Sequence, residues 1–365
     1  MFRFQVSGRQ GRCPTSAGRE QQVPIRPIPP VLPILRSPGP GCLLAAVLLA
    51  AAGLVPAVTA AETAAGGDAL YERVRQSAVE ILCRGQLAGG GWFAEPDGLI
   101  VTAGHVARVA PEAMEVLLPA GGRVKASLVA LDRGHDLALI RVPPGVEPYP
   151  VLAVAPRFPE VGREVYAFGP PVFRHRVMAR GAAARPDTTF EYMGERNGYV
   201  QVHLITGLAA IGFSGGCWVD GEGRVVGSVV GEMSIAGASK GLAYASPPEA
   251  IRALLASRRS AVTPTAGCAF EELWEHAPAE IARFPAGSTG LTVAIVEKDG
   301  PAEAAKLQKG ELVISADGHA LNYRDEMLAL IRARKPGDEM VLRILAPGQK
   351  TPLEVRLRLA RAAGE

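Results

Sequence analysis

From residue 79 to residue 245, short apolar runs recur at close spacing, each closed by glycine, proline or an Asp-Gly pair. They fall at 79–82, 99–101, 114–118, 123–131, 137–142, 161–168, 175–180, 200–205, 225–230 and 241–245. Runs of this length between such turns read as strands, and many of them with few helices predict an all-β barrel or sandwich pair. Two helices frame the region: a short one at 68–77, with Leu70 and Val74 on one face, and a closing one at 248–256. With 365 residues, 48% of them hydrophobic and 21% charged, the chain has room for two or three soluble globular domains.

The formal charge of +3 is unevenly placed. Residues 1–60 hold six arginines and one acid, Glu20, a net +5, which leaves −2 for the remainder. That balance gives no basic surface for a nucleic acid, so no nucleic-acid partner is expected. Residues 1–40 are rich in proline, arginine and glycine. An uncharged run then extends over 42–60 and ends in Val58-Thr59-Ala60. An arginine-bearing start, an apolar middle and small residues at the end predict export with cleavage, the alternative being a membrane anchor through 42–60.

Three cysteines follow residue 60: Cys83, Cys217 and Cys268. They read as buried, unreactive thiols, with a Cys83–Cys217 bridge as the alternative. No Cys/His spacing suits zinc, and neither a metal nor a cofactor is expected.

Gly212-Phe213-Ser214-Gly215-Gly216 lies between the apolar runs 200–211 and 225–230. A serine bracketed by glycines can sit on a tight turn with its Oγ exposed and backbone N–H groups free beside it. Acyl transfer needs that nucleophile and those donors. Alone, the pentapeptide reads more readily as a plain flexible loop. Upstream, His105 ends a strand in the small-residue turn Thr102-Ala103-Gly104-His105-Val106, and Asp136 stands at the mouth of the strand 137–142. A lone histidine in a turn is usually structural, and a lone aspartate beside a strand usually caps it. Together, in the order His, Asp, Ser, they supply a base for the serine proton and a carboxylate to orient that base.

Residues 259–286 read as a linker with a helix at 271–282. Beyond it come a strand at 290–296, a Gly300-Pro301 helix start, a strand at 311–315, an Asp317-Gly318 hairpin signal and an amphipathic helix at 324–334. Strands at 340–345 and 353–359 complete the module. A glycine-rich turn feeding an edge strand beside a helix makes a groove for an extended peptide. Gly290, Leu291, Val293, Met327 and Ile331 are the candidate groove residues, ordinary core packing being the other use of the same spacing.

Gly89-Gly90-Gly91-Trp92-Phe93, the turn carrying His105, Asp136-Leu137-Ala138-Leu139-Ile140, Ala167-Phe168-Gly169-Pro170 and the Ser214 pentapeptide together resemble the HtrA/Deg branch of chymotrypsin-like serine proteases, over about residues 70–258. The C-terminal module resembles a PDZ domain in the circular permutation of bacterial proteases. The implied fold is mainly β, a chymotrypsin-like double β-barrel followed by a small α+β PDZ domain. The implied division is 1–60, 61–258, 259–286 and 287–362. The resemblance makes His105 the general base, Asp136 its orienting carboxylate and Ser214 the nucleophile, with the N–H groups of Gly212 and Ser214 as the oxyanion hole. It further implies a serine endopeptidase of unfolded or misfolded polypeptides, envelope or periplasmic quality control, a trimer, and a PDZ groove for peptides with free apolar C-termini.

In that fold the specificity pocket comes from 206–213 and 227–231, which contain no acid. Leu208 and Val230 are expected to make it apolar, with Glu232 one residue beyond. The chain departs from the family in having Phe213 where asparagine is usual, Cys217 where proline is usual, and Thr-Ala-Gly-His before the base. None of these changes removes a reacting group, and two of them stand beside Ser214. A peptide-binding protein on a degenerate protease fold is the competing reading.

Overall fold

The computed structural model describes residues 60–194, 198–235 and 237–362. Apart from Ala60, the segment 1–60 read as an export signal lies outside them. Among the described residues no helix is long and apolar enough to cross a membrane.

The first helix, Ala60–Ser77, begins earlier than the sequence pattern indicates, and it buries Leu70 and Val74, one turn apart, on a single face. Seven strands follow: β1 (Ala78–Cys83), β2 (Gln86–Glu95), β3 (Leu99–Ala103), β4 (Met114–Leu117), β5 (Arg123–Lys125), β6 (Ser127–Asp132) and β7 (Leu137–Arg141). They form one antiparallel sheet in the order β5-β4-β1-β2-β3-β7-β6. The run 123–131 is therefore two strands. They part at Ala126, whose N–H donates to Met114 O at 3.0 Å. The sheet curls until consecutive strands stand at its opposite ends, but no ladder joins those ends.

The second sheet does close. It contains β8 (Glu164–Gly169), β9 (Val177–Ala183), β10 (Thr189–Tyr192), β11 (Tyr199–Thr206), β12 (Cys217–Val219), β13 (Val225–Ile235) and β14 (Ala238–Ser246). Their order is β10-β11-β14-β13-β12-β8-β9, and β9 pairs back onto β11 through Ile205↔Ala183 and Thr206↔Ala182. This makes a six-stranded barrel with β10 attached outside it. In place of two closed barrels, the molecule has one barrel and one open, curled sheet.

Alternation along the strands divides the core. On β2, Phe93 joins Ile81, Ile100 and Ile140 inside the curl of the first sheet, while its neighbour Trp92 faces the other way. Trp218, Val165, Ile205 and Val229 fill the barrel. A third cluster unites Trp92, Leu99 and Leu139 with Phe168, Cys217 and Val219 of the second sheet. It also takes in Leu70 and Val74 of the first helix and Ile251 and Leu254 of the helix Pro248–Ser257. The two sheets thus share one seam, stapled by the helices that begin and end the region.

The C-terminal sheet runs β16-β17-β18-β20-β21, from β16 (Cys268–Glu272), β17 (Leu291–Val296), β18 (Leu312–Ala316), β20 (Glu339–Leu345) and β21 (Leu353–Arg358). The short β19 (His319–Ala320) pairs with β18. A separate ladder joins β15 (Pro264–Thr265) to β22 (Ala360–Arg361). At the β18–β19 turn Asp317 and Gly318 have φ of 47° and 81°, the left-handed pair that a tight two-residue hairpin requires.

Two expectations fail here. The stretch 259–286 contributes β15 and β16 to the packed structure. Nor is there a helix over 271–282. Pro278 has no N–H to give and would clash inside such a helix, so it stands near the start of the short helix Pro278–Ile281 instead.

Leu139 is fully buried at the seam. Leu139→Ala should therefore lower unfolding stability by about 2–5 kcal/mol, seen as a reduced urea midpoint at unchanged slope.

Candidate active site

The position of His105 and Asp136 follows from strand register. β3 and β7 pair from Leu99↔Arg141 to Ala103↔Leu137, so β3 ends and β7 begins at the same edge of the sheet. The next residue out, Gly104, donates its N–H to Asp136 O at 2.9 Å. Asp136 itself has φ 51° and ψ 48°, a left-handed conformation that aspartate tolerates better than most residues. Its carboxylate takes two bonds from one residue: Oδ1 accepts the His105 N–H at 2.8 Å, and Oδ2 lies 2.6 Å from His105 Nδ1. A Cβ on Gly104 would stand 3.1 Å from Asp136 Oδ1, so the missing side chain leaves room for this approach.

Asp136 is buried and the His105 ring half-buried. Burial, the largest single influence on His105, disfavours the imidazolium. The charge of Asp136 and its hydrogen bond together outweigh it, and the histidine is held above its ordinary value.

The Ser214 turn docks against this edge through its backbone. Gly90 N–H donates to Ser214 O at 2.8 Å, and a Cβ on Gly89 would stand 2.4 Å from the same oxygen. Gly215, with φ of 80°, has no room for a Cβ, which would meet Thr102 Oγ1 at 2.2 Å. The glycines of β2 and of the serine turn are thus what allow the second sheet to bring Ser214 alongside the turn bearing His105.

Three of the N–H groups in this turn are engaged: Phe213 with Ala210 O, Gly215 with Val229 O and Gly216 with Phe213 O. Those of Gly212 and Ser214 have no acceptor among the described residues. Ser214 Oγ itself makes no hydrogen bond to His105 within 3.5 Å. Phe213 points inward and is buried in the barrel cluster with Trp218. Burial pushes the Cys217 thiol up to about 12, so it stays protonated three residues from the serine.

Leu208 and Val230, the residues expected at the specificity pocket, lie in different settings. Leu208 is 57% exposed, which removes core packing as its role. Val230 is buried in a separate cluster with Val200, Val202 and Tyr244, on the opposite face of β13 from Val229. Glu232 does reach the stretch before the serine: its Oε2 accepts the Ala209 N–H at 3.2 Å and the Ser239 hydroxyl at 2.9 Å.

The groove residues named from the sequence are also displaced. Leu291 and Val293 lie on β17, which has β16 on one side and β18 on the other, so it is not an edge strand. Leu291, Val293, Met327 and Ile331 are all buried in the C-terminal core. Gly290 is pressed against β18, where a Cβ would stand 2.4 Å from Val313 O. The edge strand beside the helix Arg324–Arg332 is β16. It is hard to find in sequence because five residues ending in two acids carry little strand signal, although Gly267 ahead of it marks a turn.

Among the described residues the three cysteines, Cys83, Cys217 and Cys268, are buried and unpaired. Among the described residues no group of three metal-ligating side chains is arranged to hold an ion.

Comparison with known proteins agrees with this arrangement. Residues 89–227 match the family described as trypsin-like peptidase domain, and residues 266–357 match the PDZ domain family. Serine protease HTRA1 of Xenopus laevis is 26% identical over 275 residues, covering 70% of this chain and 57% of the relative. A probable periplasmic serine endoprotease DegP-like of Pseudomonas fulva (strain 12-X) is 28% identical over 275 residues, covering 74% and 55%. The chain thus spans little more than half the length of these relatives. Among solved structures, the HtrA-type protease AlgW with decapeptide matches with a TM-score of 0.57 at 18% identity, over 80% of this chain and 97% of that one. The serine endoprotease from Yersinia pestis matches with a TM-score of 0.54 at 21% identity, over the same shares. At such identities the likeness is one of fold.

The His105–Asp136 pair sets a test by titration. Because the folded value is raised, the pair's contribution to stability is full below about pH 6.5 and is lost as pH rises through the folded value. His105 should titrate above the usual histidine range when followed by NMR of its ring protons. Asp136→Asn should bring it below that range, since burial then acts unopposed.

Proposed function

We infer that this chain, a member of the HtrA/Deg serine proteases with a trypsin-like peptidase domain and a C-terminal PDZ domain, is an endopeptidase that cleaves unfolded or misfolded polypeptides. The observation that carries this reading is the 2.6 Å contact of His105 Nδ1 with Asp136, at the edge where the Ser214 turn docks. With its Nδ1 proton directed at Asp136, the imidazole has Nε2 free to accept a proton. Ser214 Oγ gives up that proton as it adds to the scissile carbonyl, and the oxygen of the tetrahedral intermediate becomes an anion. The unengaged N–H groups of Gly212 and Ser214 are the donors for that anion, each worth about 3 kcal/mol in such a role. His105 then passes its proton to the departing amine, leaving an acyl-enzyme. Water, deprotonated by the same imidazole, releases the new carboxylate and restores Ser214.

A substrate must reach Ser214 as an extended strand, which a folded protein does not offer and an unfolded one does. That fits a quality-control role. The PDZ domain serves peptide recognition, and free apolar C-termini are the proposed ligands. Periplasmic or envelope location and a trimeric assembly belong to the same reading. They rest on the family and on the export signal read in 1–60.

One observation favours the competing reading of a peptide-binding protein without cleavage: Ser214 Oγ is not bonded to His105 in this structure. Incubation with an unfolded casein substrate separates the two. The wild-type chain should cleave it and be labelled at Ser214 by a serine-directed phosphonate. Ser214→Ala should lose cleavage by at least about 10³-fold while its thermal midpoint stays unchanged. Failure of the wild type to cut or to be labelled would leave the binding reading.

Peptide-library cleavage tests the pocket. Small and medium aliphatic residues should dominate on the acyl side of the cut, because Glu232 is already committed to the Ala209 N–H and to Ser239. Dominant cleavage after lysine or arginine would instead assign Glu232 to the pocket.

A further inference from the structure

The edge strand β16 and the helix Arg324–Arg332 flank the cleft in which a PDZ ligand would lie, and protease-domain side chains already occupy it. Tyr199, the first residue of β11, places its hydroxyl on the outer edge of β16. That oxygen accepts the Phe270 N–H at 2.7 Å and donates to Phe270 O at 3.2 Å. One hydroxyl therefore satisfies both backbone groups that an added peptide strand would use at this residue.

From the paired strand β10, Phe190 is 5% exposed and belongs to the same buried cluster as Cys268, Phe270, Leu328 and Ile331. Its ring lies under the Arg332 guanidinium, 5.9 Å from the centroid. Along the helix side, Asp325 Oδ1 accepts the Phe190 N–H and the Thr189 hydroxyl, each at 3.1 Å. Arg332 donates to Tyr199 O. The β10–β11 pair thus provides what a bound peptide provides: an apolar side chain in the pocket, backbone bonds to the helix flank and partners for the outward N–H and C=O of Phe270 on the strand edge.

We propose that the β10–β11 pair is the resident occupant of the PDZ groove, and that an incoming peptide binds only by displacing it. This deepens the peptide-binding part of the function proposed above, and it rests on that part alone and not on cleavage. The occupant is tethered, so a peptide competes with an intramolecular partner whose effective concentration is in the millimolar range for a short connection. Free peptide affinity is reduced in proportion to the fraction of molecules whose groove is open.

The test uses the full chain carrying Ser214→Ala, so that the probe survives whether or not the protein is a protease. The probe is a fluorescein-labelled decapeptide ending in phenylalanine with a free carboxylate, followed by fluorescence anisotropy. Tyr199→Phe keeps the ring and removes only the bridging hydroxyl, and it should tighten binding by about fivefold. Adding Phe190→Ala should tighten it by about a hundredfold or more, since the apolar occupant is then gone.

A thermal scan checks that each variant is folded. In case Phe190→Ala unfolds the domain, hydrogen exchange on the chain with Tyr199 and Phe190 intact provides a second measurement: saturating probe should speed exchange across β10 and the start of β11 while Phe270 stays protected. Equal affinity with and without the substitutions would overturn the proposal, because the groove would then already be open. So would an absence of binding in every variant, or probe binding with no change in β10 exchange. Cleavage of casein by the chain with Ser214 intact is scored separately and bears only on the protease reading.

Discussion

The antiparallel pairing of β3 with β7 is the constraint on which the rest of the site depends. With Ala103 opposite Leu137 as the last pair, His105 and Asp136 leave the sheet from one edge, within reach of each other's main chain. The histidine–carboxylate contact is therefore fixed twice, through the His105 N–H and through its ring, and neither bond relies on a long flexible side chain. A slip of one residue in this ladder would turn every side chain of β7 to the opposite face. Leu137 and Leu139 would then leave the seam cluster, and Ala138 and Ile140 would leave the interior of the first sheet. The hydrophobic pattern that buries β7 is thus also what holds the His105–Asp136 geometry in register.

The serine reaches this edge by a different principle. Its turn carries no side-chain bond to the first sheet. The contact is backbone to backbone, made possible by Gly89 and Gly90 on one side and Gly215 on the other. Preorganisation here comes from close approach of main chains, and the free N–H groups of Gly212 and Ser214 follow from the same folding of the turn. The barrel that supplies Ser214 also supplies β11, whose first residue touches the PDZ edge strand while its last residues close the barrel onto β9. One strand therefore belongs both to the barrel that carries Ser214 and to the contact with the edge strand β16.

Much of the protease domain is legible in the sequence because its signals are local. Turn residues end strands, and the triad candidates stand at strand ends whose neighbours are small. His105, Asp136 and the glycine-bracketed Ser214 are of this kind. What is not legible depends on partners distant in the chain. Whether a curled sheet closes is decided by a ladder between strands far apart, and nothing in 123–131 announces the break at Ala126. β10 has four residues, paired along one side with β11, and its Phe190 is buried in the C-terminal cluster. The glycine-rich turn ahead of Leu291 and Val293 points to that strand as the groove edge. Yet a strand apolar along its length tends to be interior, and the edge falls to Cys268–Glu272, with its two acids. Leu208 and Val230 show the limit of the same reasoning: both are apolar, but the face on which each lies is set by the tertiary fold.

Each of the three cysteines sits in a different packed cluster. Cys83 lies within the first sheet, Cys217 at the seam between the sheets and Cys268 under the PDZ sheet. Burial raises all three thiols, so at neutral pH they remain protonated and sheltered. Each of these three clusters thus carries one silent reporter. A thiol reagent becomes a clock for local opening, and the cysteine that reacts first names the part of the molecule that comes apart first.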